Sequence, residues 1–573
     1  MTKKRILIGN SNFGYIVSNK GYFVDKTLLV KDFYDNSSQV LLMPRPRRFG
    51  KTLNLSMIEH FFDVKKKDAA ALFSGYKISG EKAFCGAHQN KYPVINITLK
   101  NIRAGDWAEC FDEIKMAISE LYQNHKYLLK SEKLDDFEKS VFKNIILQTA
   151  NLAAYKHSLK SLSKYLHAHY GEPAVVLVDE YDTPIISGYT EGYYKEIITF
   201  MQVFLGSAFK GNDSLQKGLI TGIMRIAKES IFSELNNLGV FTITSLAFSD
   251  KFGFTEGETK KLLAYFGLAG NFPGVQQWYN GYKFGNTDRI YNPWSIVSYI
   301  SRHEEGLRPY WINTGTDPLI KKRVLERDMD NTRDTLQKLI SGQTIEKELH
   351  EDFVFADFQT DRELLWTLLT FSGYLSQVGH VAEETYRLRI PNFEITKVFK
   401  NIVLKWLNAD IRVHKELLVK TLGHLTNNRI AEFEKGFKKI MGDTFSYFDT
   451  KGEPENVYQA YVLGMLAIIG DDYVIRSNRE SGGGRYDILL IPHDRDRYGA
   501  VIEIKQLKKG EKETPQALAE KINGALSEAA GQIEKNKYYK ELLDHKIKKI
   551  IKLPIVFVGK EAFVLPVAEG KES

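Results

Sequence analysis

The feature that most constrains this chain is a series of short, wholly apolar segments separated by helical stretches in its first 250 residues. The segments are VLLM, VINITL, AVVLVD, GLITGI and VFTITSL, at 40–43, 94–99, 174–179, 218–223 and 240–246. Apolar runs without alternation are typical of strands that are covered on both faces, and the intervening stretches are long enough for crossover helices. The pattern therefore predicts an α/β fold with a doubly wound sheet.

Composition narrows the class of protein. A chain of 573 residues is long enough for about three to five domains, and its net charge of +8 is a weak field over that length. Two cysteines exclude a disulfide framework and a Cys-rich zinc site. The longest uncharged stretch, 456–470, is too short to span a bilayer. We therefore expect a cytoplasmic protein with no membrane segment.

Changes of pattern divide the chain into three predicted domains. Residues 1–250 are predicted to form the α/β domain. Residues 251–450 have mainly helical sequence patterns, and we interpret this region as a helical lid. Within the predicted lid, the sequence of residues 364–393 predicts a helix followed by a hairpin, which is the pattern of a winged-helix module. Residues 451–573 carry a helix, two strands, another helix and a last strand, and this pattern predicts a second α/β domain.

The segment MPRPRRFGKT, at 43–52, follows a predicted strand and leads into a predicted helix. Phosphate-binding loops occupy this position, because backbone N–H groups and the helix N-terminus then face the anion. Gly50, Lys51 and Thr52 match the second half of the motif G-x4-G-K-[ST], with the lysine for the β/γ-phosphates and the hydroxyl for Mg²⁺. Arg45 stands where the motif has its first glycine.

A second apolar strand ends in two carboxylates, Asp179 and Glu180. In ATPases an aspartate here holds the magnesium shell, and the adjacent glutamate orients the attacking water. The alternative is a buried strand that simply ends in solvated acids. Thr221, at the end of another strand, is a candidate sensor of the γ-phosphate, and its alternative is an ordinary strand-end residue.

Six motifs in order carry a family resemblance. They are GYFVDKT, RPRRFGKT, VDEYDTPI, FSELNNLG, WYNGYKF and YNPWSI, between residues 21 and 296. Together they resemble the AAA-ATPase-like family of bacterial proteins, in which an ATPase-like domain precedes a PD-(D/E)XK nuclease-like domain. The resemblance implies a P-loop NTPase fold that binds ATP and Mg²⁺, with Arg45, Arg47 and Arg48 contacting phosphate in place of the missing glycine turn. It predicts nucleotide binding and leaves the rate of hydrolysis open.

The C-terminal domain carries two carboxylates and a lysine on neighbouring predicted strands. Glu503 and Lys505 project from one face because strands alternate with period two, and a hairpin brings Asp487 beside Glu503. Two carboxylates can share a hard divalent cation, and the lysine can orient a water or neutralise phosphate. The spacing resembles the PD-(D/E)XK core of restriction-endonuclease-like folds, and it predicts a site for Mg²⁺, with Mn²⁺ as the alternative.

Two further residues join this site through position and resemblance. Glu455 lies at the start of the helix before the hairpin, where related nucleases often contribute an acid. Gln532 lies on the helix after the strands and resembles the family's A-x2-Q-I segment, so it is a candidate substrate contact. A glutamine on a helix surface is the alternative interpretation.

The sequence thus predicts an ATPase-like protein coupled to a metal-dependent nuclease that hydrolyses phosphodiester bonds in nucleic acid, with DNA favoured. Two other classes stay open: a nucleotide-switched scaffold with an inactive nuclease fold, and an ATP-driven remodeller. The resemblance also implies a bacterial protein, with defence against mobile elements as one role, and a homo-oligomer is compatible with it.

Overall fold

The computed structural model describes most of the chain. The described residues are 4–226, 231–232, 235–311, 335–336, 338–339, 342–351, 361, 363–399, 415–445, 455–470, 472–481, 484–507, 514–559 and 561–565. They divide into two compact units, unit 1 (Met1–Val324 and Ile345–Ile395) and unit 2 (Leu325–Thr344 and Thr396–Ser573). The division into domains at 250 and 450 stays a prediction.

Unit 1 contains fourteen described α-helices and ten described strands, together with short 3₁₀ turns. In chain order these elements are α1 (Phe13–Ser18), α2 (Leu28–Asp35), β1 (Val40–Leu42), α3 (Lys51–Phe62), α4 (Lys82–His88), β2 (Val94–Thr98), α5 (Trp107–Asn124), α6 (Asp136–Ile146), α7 (Leu152–Lys156), α8 (Ser158–Tyr170), β3 (Ala174–Asp179), α9 (Thr183–Glu191), α10 (Tyr194–Phe209), β4 (Leu215–Ile220), β5 (Leu238–Val240), α11 (Glu256–Tyr265), α12 (Phe272–Tyr279), β6 (Tyr282–Phe284), β7 (Thr287–Ile290), α13 (Pro293–Ser301), β8 (Ile345–Glu348), α14 (Leu364–Phe371), β9 (Ser376–Ala382) and β10 (Thr385–Arg389).

The main sheet of unit 1 has the order β2-β3-β4-β1-β5, and all four pairings are parallel. Every residue of β3 is buried, so both faces of this strand are covered. The α/β sheet predicted from the sequence is therefore present. Strand β4 lies between β1 and β3, which places the chain segments after these three strands side by side.

The region predicted as a winged helix forms a helix and a hairpin. Helix α14 precedes the antiparallel pair β9 and β10, and β8 adds a third antiparallel strand beside β10. Because β8 precedes α14, the described elements are a strand, a helix and a hairpin in that order, and the finer prediction of a winged helix is not confirmed.

Unit 2 is built on a second five-stranded sheet. Its described elements are α15 (Lys415–Thr426), α16 (Ile430–Phe445), α17 (Glu455–Leu466), β11 (Tyr473–Ser481), β12 (Gly484–Pro492), β13 (Gly499–Leu507), α18 (Pro515–Lys535), α19 (Lys540–Asp544), β14 (Ile550–Val558) and β15 (Glu561–Val564). The strand order is β11-β12-β13-β14-β15, with only β13 and β14 parallel. One apolar core packs the sheet against α15, α16 and α17, and another packs it against α18 and α19.

None of the helices in the described part of the chain is both long enough and apolar enough to cross a membrane.

Candidate functional site

The start of the loop between β1 and α3 is anchored to the end of β4 and the residues that follow it. The Met43 N–H donates to the Ile220 carbonyl at 2.9 Å, and the Arg45 N–H donates to the Gly222 carbonyl at 3.0 Å. Gly50 has φ 86°, a left-handed conformation that glycine adopts without strain, and α3 begins at the next residue. The free N–H groups of the first helical turn therefore follow the loop directly, as in an anion site.

The Lys51 side chain folds back over this loop. Its Nζ donates to the carbonyl oxygens of Arg45 at 3.0 Å and Pro46 at 3.4 Å, and it lies 3.4 Å from Oε1 of Glu180. The side chain is almost fully buried. A buried ammonium held by carbonyl oxygens at the start of a helix can exchange those partners for phosphate oxygens with little rearrangement.

Asp179, the last residue of β3, accepts hydrogen bonds on both carboxylate oxygens. Thr52 donates to Oδ2 at 2.7 Å, and Thr221 donates to Oδ1 at 2.6 Å. Burial and the charge of Glu180 raise the pKa of this carboxyl, while the two hydroxyls and Lys51 oppose the rise. The Thr52 hydroxyl and the Asp179 carboxylate are adjacent oxygen donors of the kind Mg²⁺ prefers, so the residues present fit a magnesium ion.

Glu180 lies beside the lysine in a strained backbone conformation. Its φ is 55°, which costs a non-glycine residue of the order of 1–3 kcal/mol. Burial raises its pKa, but the positive charges of Lys51 and Arg47 outweigh burial, and the pKa is lowered overall. The carboxylate is therefore ionised and faces the phosphate loop.

The three arginines of the loop have different environments. Arg45 is fully buried, and its guanidinium donates to the carbonyl oxygens of Phe241 at 2.6 Å and Phe248 at 3.3 Å. By contrast, Arg47 and Arg48 both interact electrostatically with Glu180. Arg47 and Arg48 thus lie close enough to Glu180 to interact with its charge, whereas Arg45 is directed into the protein interior.

Residues of the predicted lid contact the loop. The Arg47 carbonyl accepts from Nδ2 of Asn292 at 3.3 Å and from Nε1 of Trp311 at 3.4 Å. The Arg48 guanidinium lies over the ring of Trp294, 4.2 Å from its centroid, in a cation–π contact. Arg47 and Arg48 are therefore in direct contact with residues that follow α12.

In unit 2, Asp487 lies on β12 where its pairing with β13 ends. The last described pair is Ile488 with Ile502, and the carboxylate of Asp487 accepts from the N–H of Ile504 at 2.7 Å. Nε2 of Gln459, on α17, donates to the second carboxylate oxygen at 3.3 Å and to the Asp487 carbonyl at 3.1 Å. Asp487 is thereby fixed against the residue between Glu503 and Lys505.

Glu503 and Lys505 lie on the same side of β13. Nζ of Lys505 is 3.9 Å from Oε1 of Glu503, and Glu503 is 5% exposed. Among the residues that the structure describes, no group of three or more His, Cys, Asp or Glu side chains could hold a metal ion. Two carboxylates with oxygen donors nevertheless fit Mg²⁺, which usually keeps several waters and takes one or two protein carboxylates.

Comparisons with known proteins agree with the two predicted types of domain. Residues 7–232 match the family model described as predicted AAA-ATPase, and residues 453–566 match that of the PD-(D/E)XK nuclease superfamily. The chain joins an AAA-ATPase-like domain to a PD-(D/E)XK nuclease superfamily domain. Together these domains indicate nucleotide binding and hydrolase chemistry.

Two individual proteins show how far the similarity extends. The chain is 27% identical over 510 residues to an uncharacterized protein in the vnfD 5' region of Azotobacter chroococcum mcd 1, covering 86% of this chain and 88% of that protein. It also aligns with the structure of the Walker-type ATPase PABY2304 of Pyrococcus abyssi, at 14% identity and a TM-score of 0.33, covering 65% of this chain and 94% of the other.

Within the AAA-ATPase-like domain, the structure brings most of the predicted site residues together. One cluster contains Lys51 with Glu180, and Asp179 with the two threonines that donate to it. The side chain of Arg45, which was also predicted to contact phosphate, lies outside this cluster. The sequence could not show its direction, because a loop arginine between prolines carries no sign of burial.

Within the PD-(D/E)XK domain, two residues predicted for the site have no described contact with Asp487, Glu503 or Lys505. Glu455 is the first residue of α17, and its side chain lies outside the described part of the chain. Nε2 of Gln532 donates to Glu528, one turn earlier on α18, at 3.4 Å. Sequence reasoning missed Gln459, which lies one turn after Glu455 and contacts Asp487. Helical periodicity, applied to the helix that carries Glu455, was the signal that could have found it.

The burial of Arg45 gives a first prediction. Replacing Arg45 with alanine leaves the Phe241 and Phe248 carbonyls without their donor and opens a cavity, and an unsatisfied buried group costs about 1–3 kcal/mol. We expect a loss of about 3 kcal/mol or more in the free energy of unfolding of unit 1, measured by denaturant titration. Arg103→Ala, at an exposed position, is the control. Unchanged stability with lost ATP affinity would instead make Arg45 a phosphate ligand.

Proposed function

We propose that this chain is a nucleotide-controlled, metal-dependent nuclease. The AAA-ATPase-like domain binds and hydrolyses ATP, and the PD-(D/E)XK domain cuts phosphodiester bonds in DNA. Nucleotide state controls cutting, and the protein acts in the cytoplasm, where ATP, Mg²⁺ and DNA meet.

In the nucleotide site, each residue has a role that follows from its position. Lys51 exchanges the loop carbonyls for β- and γ-phosphate oxygens, and Arg47 and Arg48 add positive charge beside them. Thr52 and Asp179 hold the magnesium ion, which when bound neutralises charge on the phosphates.

Glu180 orients the attacking water in this proposal. The water oxygen forms a bond to the γ-phosphorus while the bond from that phosphorus to the bridging β-oxygen breaks. ADP leaves with the electron pair of the broken bond, and the water's proton passes to Glu180 and on to solvent. The lowered pKa of Glu180 keeps this carboxylate ionised and able to accept a hydrogen bond from water.

In the nuclease site, Asp487 and Glu503 hold the divalent cation, which when bound polarises a phosphodiester oxygen and lowers the pKa of a water. The Lys505 ammonium lies beside Glu503 and stabilises the charge that develops on the phosphate. The oxygen of water forms a bond to the phosphorus and one proton of that water passes to solvent. The bond from the phosphorus to one bridging oxygen breaks, and that oxygen leaves as a hydroxyl after taking a proton from solvent.

One observation carries the nuclease half of the proposal. The Asp487 carboxylate accepts from the backbone N–H between Glu503 and Lys505, whose side chains lie on one side of β13, and this contact between the two strands supports a shared site. The charges are also costly: Glu503 interrupts a buried apolar strand, where a carboxylate without a function would be selected against on stability alone.

The test of nucleotide control compares cleavage of plasmid DNA by the full chain in Mg²⁺ with and without ATP. We expect the wild-type rate to change when ATP is added and the Lys51→Ala rate to be the same in both conditions. Cleavage by the wild-type chain that ignores ATP would overturn the nucleotide control and leave a constitutive nuclease.

A further inference from the structure

The segment after β4 touches both halves of the nucleotide site. Its first residue, Thr221, donates to Asp179 at 2.6 Å, and its second, Gly222, accepts from the Arg45 N–H of the phosphate loop at 3.0 Å. The Thr221 carbonyl also accepts from the Tyr181 N–H at 3.1 Å. The position of this segment therefore sets the distance between the phosphate loop and the carboxylates after β3.

One side chain holds the next two residues of the segment. Oδ2 of Asp182 accepts from the N–H of Ile223 at 2.7 Å and from the N–H of Met224 at 3.1 Å. Asp182 is fully buried, and within the described residues its Oδ1 has no hydrogen-bond partner. Burying a carboxylate two residues from Glu180 is expensive, and a fold that keeps it indicates a use beyond packing.

The backbone of the segment is shaped to receive this carboxylate. A Cβ placed on Gly222 would lie 2.8 Å from Oδ1 of Asp182 and 2.9 Å from Cδ1 of Tyr181. The Tyr181 hydroxyl donates to the Met224 carbonyl at 2.8 Å and accepts from the Ile226 N–H at 3.0 Å. The two residues that follow Glu180 thus grip the segment on both sides, and only glycine fits between them.

We propose that Asp182 is a positioning residue for ATP hydrolysis, which holds the Thr221–Met224 segment so that Asp179 and the phosphate loop keep their catalytic separation. This role rests on the proposed ATPase function. In this role Asp182 contacts neither the attacking water nor the phosphate, and it acts through Thr221 and Gly222. Misplacement of catalytic groups by about 1 Å can cost about 100-fold in rate, so the effect falls on kcat.

The test measures steady-state ATP hydrolysis by the full chain in Mg²⁺. We expect Asp182→Ala to lower kcat by about 10- to 100-fold with KM for ATP within about twofold of wild type. Asp182→Asn should recover most of kcat, since one amide oxygen can accept from both N–H groups. Gly222→Ala, which displaces the carboxylate without removing it, should reproduce the alanine variant.

A double-mutant cycle with Thr221→Ala separates positioning from simple loss of stability. If Asp182 acts through Thr221, the double variant loses little more kcat than Thr221→Ala alone, whereas independent effects multiply. Asp63→Ala is the matched control: Asp63 is a buried carboxylate that accepts a backbone N–H from Lys65, and it caps the far end of α3. Its kcat should stay within about twofold of wild type.

The outcomes distinguish the two proposals. A wild-type chain that binds but does not hydrolyse ATP overturns the ATPase function and this role with it. If the wild-type chain hydrolyses ATP and both Asp182→Ala and Gly222→Ala have the same kcat as the wild type, the positioning role alone is overturned. Should Asp182→Ala fail to fold, as judged by its thermal transition, Gly222→Ala and Asp182→Asn still decide the question.

Discussion

Replacing Asp487 with asparagine is expected to reduce divalent-dependent DNA cleavage to about one thousandth of the wild-type rate or less. The amide oxygen can still accept from the Ile504 N–H, so the fold of β12 and β13 is retained while the negative charge on the cation is lost. Glu503→Gln should have the same effect, because it also removes a negative charge from the proposed cation site. The measurement is the rate of plasmid nicking in Mg²⁺ by the full chain.

The remaining residues of this site should follow an order. Lys505→Ala keeps both carboxylates and should lose about 10²- to 10⁴-fold in rate, the range for a charge-stabilising or proton-transferring group. Glu455→Ala should have an intermediate effect, and Gln532→Ala a small one, since its amide is bonded within its own helix. Glu534→Gln, a carboxylate paired with Lys552 on the surface of the same unit, is the control. Full cleavage by Asp487→Asn would contradict the assignment.

Replacing Lys51 with alanine is expected to weaken ATP binding by about 10- to 100-fold, because a hydrogen bond to a charged group contributes about 1.5–3 kcal/mol. Glu180→Gln should leave ATP affinity unchanged and lower hydrolysis by about 100-fold or more, since it alters only the group that orients water. Affinity is measured by calorimetry and hydrolysis by phosphate release.

A control lysine makes this comparison specific. Lys164 is an exposed residue of the same unit that pairs with Glu138, and Lys164→Ala should bind ATP as the wild type does. Equal ATP affinity in the wild type and in Lys51→Ala would place the nucleotide elsewhere. Equal hydrolysis in the wild type and in Glu180→Gln would remove Glu180 from the reaction.

Most buried strands of the two five-stranded sheets were predictable, because their sequences are runs of apolar residues. Strands β2 and β3 lie within one residue of the segments at 94–99 and 174–179. The run at 240–246 was wrong for β5, which covers Leu238–Val240, because apolar residues in a loop look the same in the sequence as those in a strand. Strand β11 was missed because its sequence YVIRSNRES is mostly polar, although its pairing partner is the next strand along the chain, β12.

The positions of the candidate site residues were predictable where a sequence motif marks them. The directions in which their side chains point were not predictable. A lysine and a hydroxyl at a strand-to-helix junction, and acids at the end of a buried strand, carry their positions in the sequence. The inward direction of Arg45, the contact of Gln459 with Asp487 and the grip of Asp182 on the segment after β4 are tertiary. Each joins residues from separate elements, so a local pattern such as helical periodicity can indicate the face on which a residue lies but does not specify the partner it contacts.

The most direct test of the account is a cleavage assay on one plasmid substrate, with the wild-type chain and Glu503→Gln side by side. Each is incubated with Mg²⁺, with Mn²⁺ and with a chelator, and in each case with and without ATP. The account predicts nicking by the wild-type chain only with the divalent ion, at a rate that depends on ATP, and a rate for Glu503→Gln of about one thousandth of wild type or less. Equal nicking by the two chains, or none by the wild type in either metal, would contradict it.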